Sequence, residues 1–273
     1  MSLKYKLVLS DYDDTLTLSD GTVTPRTLAA IKAYRAAGGT FVVSTGRSYA
    51  SVKKLLPKIY GEADPDVPVV CYQGGLVAYR GEVLRRMGMK KEDLLRLTAE
   101  LEARGIICQL YSGERMFCPK MTVESHRYEV VTDCKFEIVG DLIKFIHNYD
   151  GVFDKLLMIA SPGEVQALRG EFLARGEYQD CKFVFSRPIY LEAIPRASGK
   201  DGALRFVADY LGVPVSETAA FGDSNNDTDM LRAAGFGVAM GNARKECKLA
   251  ADAVADSNEN DGLAKMLATF IKK

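Results

Sequence analysis

Residues 7–17 read LVLSDYDDTLT, a short apolar run followed directly by three carboxylates, Asp11, Asp13 and Asp14, within four positions. The run is short, apolar and β-branched, and it stops at turn-forming residues, which predicts a buried strand. Carboxylates this close repel one another unless something positive is held beside them. In open α/β sheets, ligands bind beyond the carboxyl ends of the strands, and that is where these three carboxylates fall.

Working outward, TPRTLAAIKAYRAAG (24–38) predicts a helix with Thr24 as N-cap, Pro25 in its first position and Gly38 at its C-terminal end. TFVVS predicts a second strand, SYASVKKLLPKI a helix and VPVVCYQ a third buried strand, so the chain opens with a βαβ rhythm and a parallel sheet. GGLVAYRGEVLRRM contains two strand-like runs around Arg80-Gly81 and reads as a hairpin. From about 88 to 188 the order becomes mixed, with KEDLLRLTAELEARG and SPGEVQALRGEFLARG as its clearest helices. After Glu192 the first rhythm resumes: helix SGKDGALRFVADYLG capped by Ser198, strand TAAFGD, helix NNDTDMLRAAG, strand FGVAM, helix NARKECKLAA, strand DAVAD and a last helix NENDGLAKMLATFIK. The expected organisation is a discontinuous core, residues 1–84 and 189–273, with an α+β domain at 85–188 inserted into it.

At 273 residues the chain has room for a core and a second lobe. Lys plus Arg and Asp plus Glu stand at 36 each, so no overall field would draw nucleic acid or an anionic membrane. No stretch approaches the roughly 18–20 apolar residues of a membrane span, and the N-terminus lacks a secretory pattern, so a cytoplasmic protein is expected. Met1-Ser2-Leu3 reads as an expression leader outside the fold. The six cysteines, 71, 108, 118, 134, 181 and 247, form no C-x-x-C pair and are accompanied by two histidines, which argues against zinc and for reduced core thiols.

Four segments fall just after apolar runs. They are Asp11 to Thr15; Ser44-Thr45-Gly46-Arg47, where a hydroxyl and backbone N–H groups could hold an anion; Lys200; and FGDSNNDTDM, carrying Asp223, Asn226 and Asp227. Taken singly, these are also ordinary caps, turns and solvated charges. Taken together, an anion-binding loop, an ammonium and clustered carboxylates suit a phosphoryl group bridged by a divalent metal, and an oxygen donor set favours Mg²⁺. A calcium EF-hand loop fails, because counting from Asp11 puts Leu16 and Thr22 where Gly and Glu are needed. A P-loop pattern is missing as well.

The ordered motifs DYDDT, STGR, SGKDGAL, FGDSNNDTDML, GFGVAMGNARKECKLAADAV and NENDGLAKML resemble those of the haloacid dehalogenase (HAD) superfamily, in particular its Cof-type phosphohydrolases with a large α+β cap. The resemblance implies a Rossmann-like three-layer α/β core with a mainly parallel sheet, and a cap that selects the substrate. It also implies hydrolysis of a small phosphorylated metabolite, such as a sugar phosphate or phosphorylated cofactor. Asp11 would be the nucleophile that forms an aspartyl-phosphate, and Asp13 the general acid and base. Thr45, Gly46 and Lys200 would hold the phosphoryl oxygens. Asp11, Asp223 and the Asp13 carbonyl would coordinate Mg²⁺, with Asp227 supporting the metal and Asn226 reaching the phosphate or a metal-bound water. Two positions depart from the pattern: Asp14, where Gly is usual, reads as a solvated extra charge, and Gln73-Gly74-Gly75 stands where Asn-Gly is common, which would make a substrate-facing amide one carbon longer. A sugar phosphomutase and a non-catalytic binding protein on the same fold are the alternatives. Arg115, His126, Arg127, His147 and Arg187 are candidate cap contacts, and nothing in the sequence specifies an oligomeric state.

Overall fold

The computed structural model describes residues 2–62 and 65–272. Strand β1 (Ser2–Leu3) is followed by β2 (Leu7–Ser10), buried throughout. Helix α1 (Pro25–Ala36) starts as its sequence dictates: the Thr24 side chain accepts the Thr27 N–H, Pro25 takes the first turn, and Gly38 follows with φ 93°. Then come β3 (Thr40–Val43), α2 (Tyr49–Tyr60), β4 (Val69–Cys71), β5 (Leu76–Tyr79) and β6 (Glu82–Arg86). Strands β5 and β6 pair as a hairpin whose two turn residues, Arg80 and Gly81, both have positive φ, matching the right-handed twist of the flanking strands.

The inserted part runs α3 (Lys91–Ala103), β7 (Ile107–Ser112), β8 (Arg115–Cys118), α4 (Val123–Thr132), β9 (Phe136–Ile138), α5 (Leu142–Asn148), β10 (Lys155–Ile159), α6 (Pro162–Arg175), β11 (Cys181–Arg187) and β12 (Tyr190–Pro195). Its strands form one sheet in the order β11-β12-β10-β7-β8-β9, antiparallel except for the β8-β9 pair. Leu94, Leu97 and Leu101 of α3 share a hydrophobic core with Leu110, Leu156, Met158 and Leu191 of the sheet. Helix α6 opens on a capping box between Ser161 and Glu164. Lys155 and Glu192, both buried, form an ion pair at 2.9 Å, with the Lys155 ammonium over the Tyr111 ring.

The chain then returns through α7 (Lys200–Tyr210), β13 (Thr218–Gly222), α8 (Thr228–Ala233), β14 (Gly237–Ala239), α9 (Lys245–Ala250), β15 (Ala253–Val254), α10 (Gly262–Ala268) and β16 (Ile271–Lys272). The second sheet, in the order β15-β14-β13-β2-β3, is parallel throughout, and β4 extends it through a Ser44–Val70 bridge. From β2 the chain winds one way to β3, and from β13 the other way to β14 and β15. Because parallel crossovers are right-handed, the two directions put their helices on opposite faces of the sheet. Leu7, Leu9, Phe41, Val43, Ala220, Phe221 and Val238 fill the core between these layers. In such sheets the ligand site falls in the crevice where the winding reverses, which here lies between the carboxyl ends of β2 and β13.

Contacts divide the chain into two compact units, Met1–Gly46 with Lys53–Arg85 and Gly199–Lys273, and Arg47–Val52 with Arg86–Ser198. The second crossing therefore comes later than residue 189, because Tyr190–Pro195 pairs with β10 and β11 in the antiparallel sheet. A strand buried along its whole length reads the same in either sheet, so its sequence carries no sign of which one it joins. Three other expectations change. The cap position of α7 is Gly199 rather than Ser198, whose hydroxyl is buried and finds no hydrogen-bond partner among the described residues. The last helix is interrupted at Asp261, which adopts a left-handed conformation (φ 55°), and ends before β16. Ser2–Leu3, expected to lie outside the fold, pairs with Ile271–Lys272; Met1 lies outside the described residues. All six cysteines are buried and unbridged. Among the described residues no helix is long and apolar enough to cross a membrane.

Candidate active site

Asp11 is the first residue beyond β2, and its N–H donates to the Phe221 carbonyl of β13 at 3.0 Å, locking the two central strand ends together. A tight turn follows, closed by the Leu16 and Thr17 N–H groups on the Tyr12 carbonyl. It leaves Asp11 buried, Asp13 half-buried and Asp14 exposed. Asp14 has φ 58°, a conformation that favours Gly and that Asp tolerates better than most residues. Its carbonyl accepts the Asn242 amide at 2.8 Å. The extra carboxylate noted in the sequence thus stands on an exposed residue whose backbone takes a left-handed turn.

From α7 the Lys200 ammonium reaches Asp11 at 2.5 Å and Asp227 at 2.6 Å. All three are deeply buried, at 2%, 6% and 0% exposure, so their charges act in a medium that screens them far less than water does. Asp227 is tied on both sides: Oδ1 accepts from Lys200, and Oδ2 accepts the N–H groups of Asp223 and Ser224. Gly222 permits this closeness, since a Cβ there would lie 2.4 Å from the Asp227 Cβ. Asp223 receives the Thr15 hydroxyl at 3.1 Å. One carboxylate oxygen from each of Asp11, Asp223 and Asp227 falls within 4.8 Å of the others, a set of hard oxygen donors of the kind that holds a divalent cation.

The charges shift one another. Burial, then the Asp227 charge, raises Asp11 well above the ordinary carboxylate range, with Lys200 pulling against them. Asp223 is pushed up to about 6, first by burial and then by Asp227, with the Thr15 hydrogen bond opposing. Burial would lower Lys200, but the Asp11 and Asp227 charges outweigh it and the ammonium is held more firmly than usual. Three carboxylates facing one ammonium is the state of a site poised to take up further positive charge. Cys247 is pushed up to about 12, first by burial, and its thiol stays protonated.

Thr45 lies at the end of β3, with its N–H on the Val70 carbonyl at 2.9 Å and its carbonyl accepting the Gln73 N–H at 3.1 Å. Gly46 follows, against the Gln73 side chain. The Gln73 Oε1 in turn accepts the Asn226 amide at 2.9 Å, and Asn226 accepts the Ser224 hydroxyl. Apart from Asp13, half-buried in the turn after β2, the core candidates thus form two groups: Lys200 with Asp11, Asp223 and Asp227, and Thr45 with Gly46 and Asn226 around Gln73. Thr15, Ser224 and Asn242 were given no role from sequence; Thr15 and Ser224 lie inside the acidic motifs, and that proximity is the signal that could have found them. Of the cap candidates, His126, Arg127, His147 and Arg187 are exposed, and Arg115 is held in a two-pronged pair with Glu137.

Residues 8–267 match the haloacid dehalogenase-like hydrolase family. A Haemophilus influenzae protein is 31% identical over 270 residues, covering 97% of this chain and 98% of its own length. YwtE of Bacillus subtilis, a 5-amino-6-(5-phospho-D-ribitylamino)uracil phosphatase, is 27% identical over 283 residues, covering 95% of this chain and 96% of its own. A solved haloacid dehalogenase-like hydrolase of B. subtilis superposes with a TM-score of 0.85 at 26% identity, covering 97% of this chain and 100% of that one.

Proposed function

The chain belongs to the haloacid dehalogenase-like hydrolases, and from that premise we propose that it is a Mg²⁺-dependent phosphatase acting on a small phosphorylated metabolite through an aspartyl-phosphate on Asp11. The observation that carries this reading is the buried Lys200 ammonium bridging Asp11 and Asp227, with Asp223 beside them. The substrate class, a sugar phosphate or a phosphorylated cofactor, has support from relatives such as YwtE, whose substrate is a phosphorylated ribityl compound.

In this reading the Asp11 carboxylate attacks phosphorus and the bond to the ester oxygen breaks, while Asp13 gives its proton to the departing alcohol. Asp13 then takes a proton from water as that water attacks the aspartyl-phosphate, which releases inorganic phosphate and restores Asp11. Lys200 directs two of its three N–H donors at Asp11 and Asp227, and the third suits a phosphoryl oxygen. The Thr45 and Gly46 loop holds the other oxygens, with Asn226 beside it. Mg²⁺ held by Asp11, Asp223 and the Asp13 carbonyl would neutralise phosphoryl charge; Asp227, with both oxygens engaged, supports that site through Lys200 and the Asp223 N–H. Uncatalysed phosphate monoester hydrolysis calls for accelerations of up to about 10²¹-fold, supplied here by positioning and charge neutralisation. Substrate choice falls to the inserted α+β unit. Six unbridged thiols fit a reducing, cytoplasmic setting.

The test is hydrolysis of p-nitrophenyl phosphate with Mg²⁺, followed by a screen of sugar phosphates, pyridoxal phosphate and flavin mononucleotide. Asp11→Asn should abolish turnover, and a mutant as active as the wild type would remove Asp11 from the mechanism. Isomerised sugar phosphate without net phosphate release would point to a mutase instead.

A further inference from the structure

Three successive residues at the start of the 72–75 turn have positive φ: Tyr72 at 52°, Gln73 at 56° and Gly74 at 86°. Two of them are large side chains in a region that L-residues avoid, and both are buried, at 0% and 5% exposure. Such a backbone persists only where the surroundings over-determine it, and clusters of this kind gather at functional sites.

The surroundings here are three loops of the candidate site. The Gln73 N–H donates to the Thr45 carbonyl, and its side chain fills the space a Cβ on Gly46 would need, with Nε2 2.4 Å from that position. Its Oε1 accepts the Asn226 amide of the acidic loop. The next residue, Gly74, has no room for a Cβ, which would lie 2.1 Å from the Gly199 carbonyl oxygen and 2.9 Å from the Lys200 backbone nitrogen. The turn thus touches the 44–46 loop, the 223–227 loop and the first residue of α7, and the Gln73 side chain spans the first two.

We infer that the Tyr72-Gln73-Gly74 turn is a positioning element, in which the length and amide of Gln73 fix the separation between the 44–46 anion loop and the 223–227 acidic loop. The inference deepens the phosphatase reading and rests on it for what the loops hold. In this role Gln73 acts through Gly46 and Asn226 rather than on the phosphoryl group. An Asn at this position would be one methylene short of Asn226, and an apolar side chain of the same length would keep the packing against Gly46 but lose the bond.

The experiment measures inorganic phosphate binding in the presence of Mg²⁺ by calorimetry, together with KM and kcat for p-nitrophenyl phosphate and the melting temperature. Misplacing a phosphate-holding loop by about an ångström costs on the order of 10²-fold. Gln73→Met and Gln73→Asn should therefore weaken phosphate binding and raise KM by about 10- to 100-fold, with a smaller change in kcat and melting close to that of the wild type. The reciprocal double variant, Gln73→Asn with Asn226→Gln, moves the missing methylene to the other partner and should recover much of the loss. A role confined to packing would let Gln73→Met behave as the wild type and would give no recovery in the double variant; either result overturns the inference. If Gln73→Met does not fold, the comparison of Gln73→Asn with the double variant decides alone. Wild-type protein that binds phosphate but hydrolyses no ester would defeat the phosphatase reading while leaving the binding comparison intact.

Discussion

The Lys200 ammonium faces Asp11 and Asp227 with a third carboxylate alongside, so replacing Lys200 by Met removes from a buried cluster of like charge the one ion-pair partner it has among the described residues. Removing one partner of a buried pair costs about 3–5 kcal/mol. Lys200→Met should lower the melting temperature markedly and bring turnover near background, and Mg²⁺ should restore part of the stability by supplying positive charge. Thermal melts with and without the metal check this; a variant that melts like the wild type would show the ammonium to be dispensable. Asp223 gives a prediction with a pH window. Its folded, metal-free carboxyl titrates at about 6, above the roughly 4 of an unfolded Asp, so the folded state holds the extra proton between these values. The contribution of this group to metal-free stability is fully present below about pH 4 and is lost as pH rises through about 6. Metal needs the carboxylate, so Mg²⁺ affinity should rise as pH rises through about 6, which calorimetric titration from about pH 5 to about pH 7.5 can measure.

At the scale of elements, β13 ends in Gly222 because Asp227 folds back over that position, and Gly222→Ala should push the acidic loop outward. Overpacking of this kind costs about 1–3 kcal/mol. The expected result is a modest loss of stability with a much larger loss of kcat, read from paired melts and kinetics. The sequence made the strand ends legible, since an apolar run that stops at Asp11, at Ser44-Thr45 or at Gly222-Asp223 announces both a strand and the residues beyond it. The α1 cap was legible for the same reason, because Thr24 and Pro25 act locally. Less legible were features that depend on distant partners. The left-handed backbone at Tyr72 and Gln73 leaves no local signature, because neither residue type favours it. Neither does the membership of β12, which is settled by pairing with β10 and β11. The same holds for Gly199, whose capping position no side chain announces.

At the scale of the molecule, the two hydrophobic cores share no residue among those described: Leu7, Phe41 and Phe221 belong to one, and Leu94, Leu110 and Leu156 to the other. Calorimetry should accordingly resolve two unfolding transitions, and Mg²⁺ with inorganic phosphate should raise only the one belonging to the parallel-sheet unit, because a ligand stabilises only the folded unit it binds. A single transition that shifts as a whole would refute that independence. The parallel register also dictates an order of assembly during synthesis. Leu7 pairs with Thr218, so the central strand waits for about 200 further residues before its second neighbour exists. At ribosomal rates of about 5–20 residues per second this is a wait of about 10–40 s. The inserted unit, continuous from Arg86 to Ser198 but for the short Arg47–Val52 piece made before it, is complete by then. The nascent chain therefore carries an exposed β2 edge for most of its time on the ribosome.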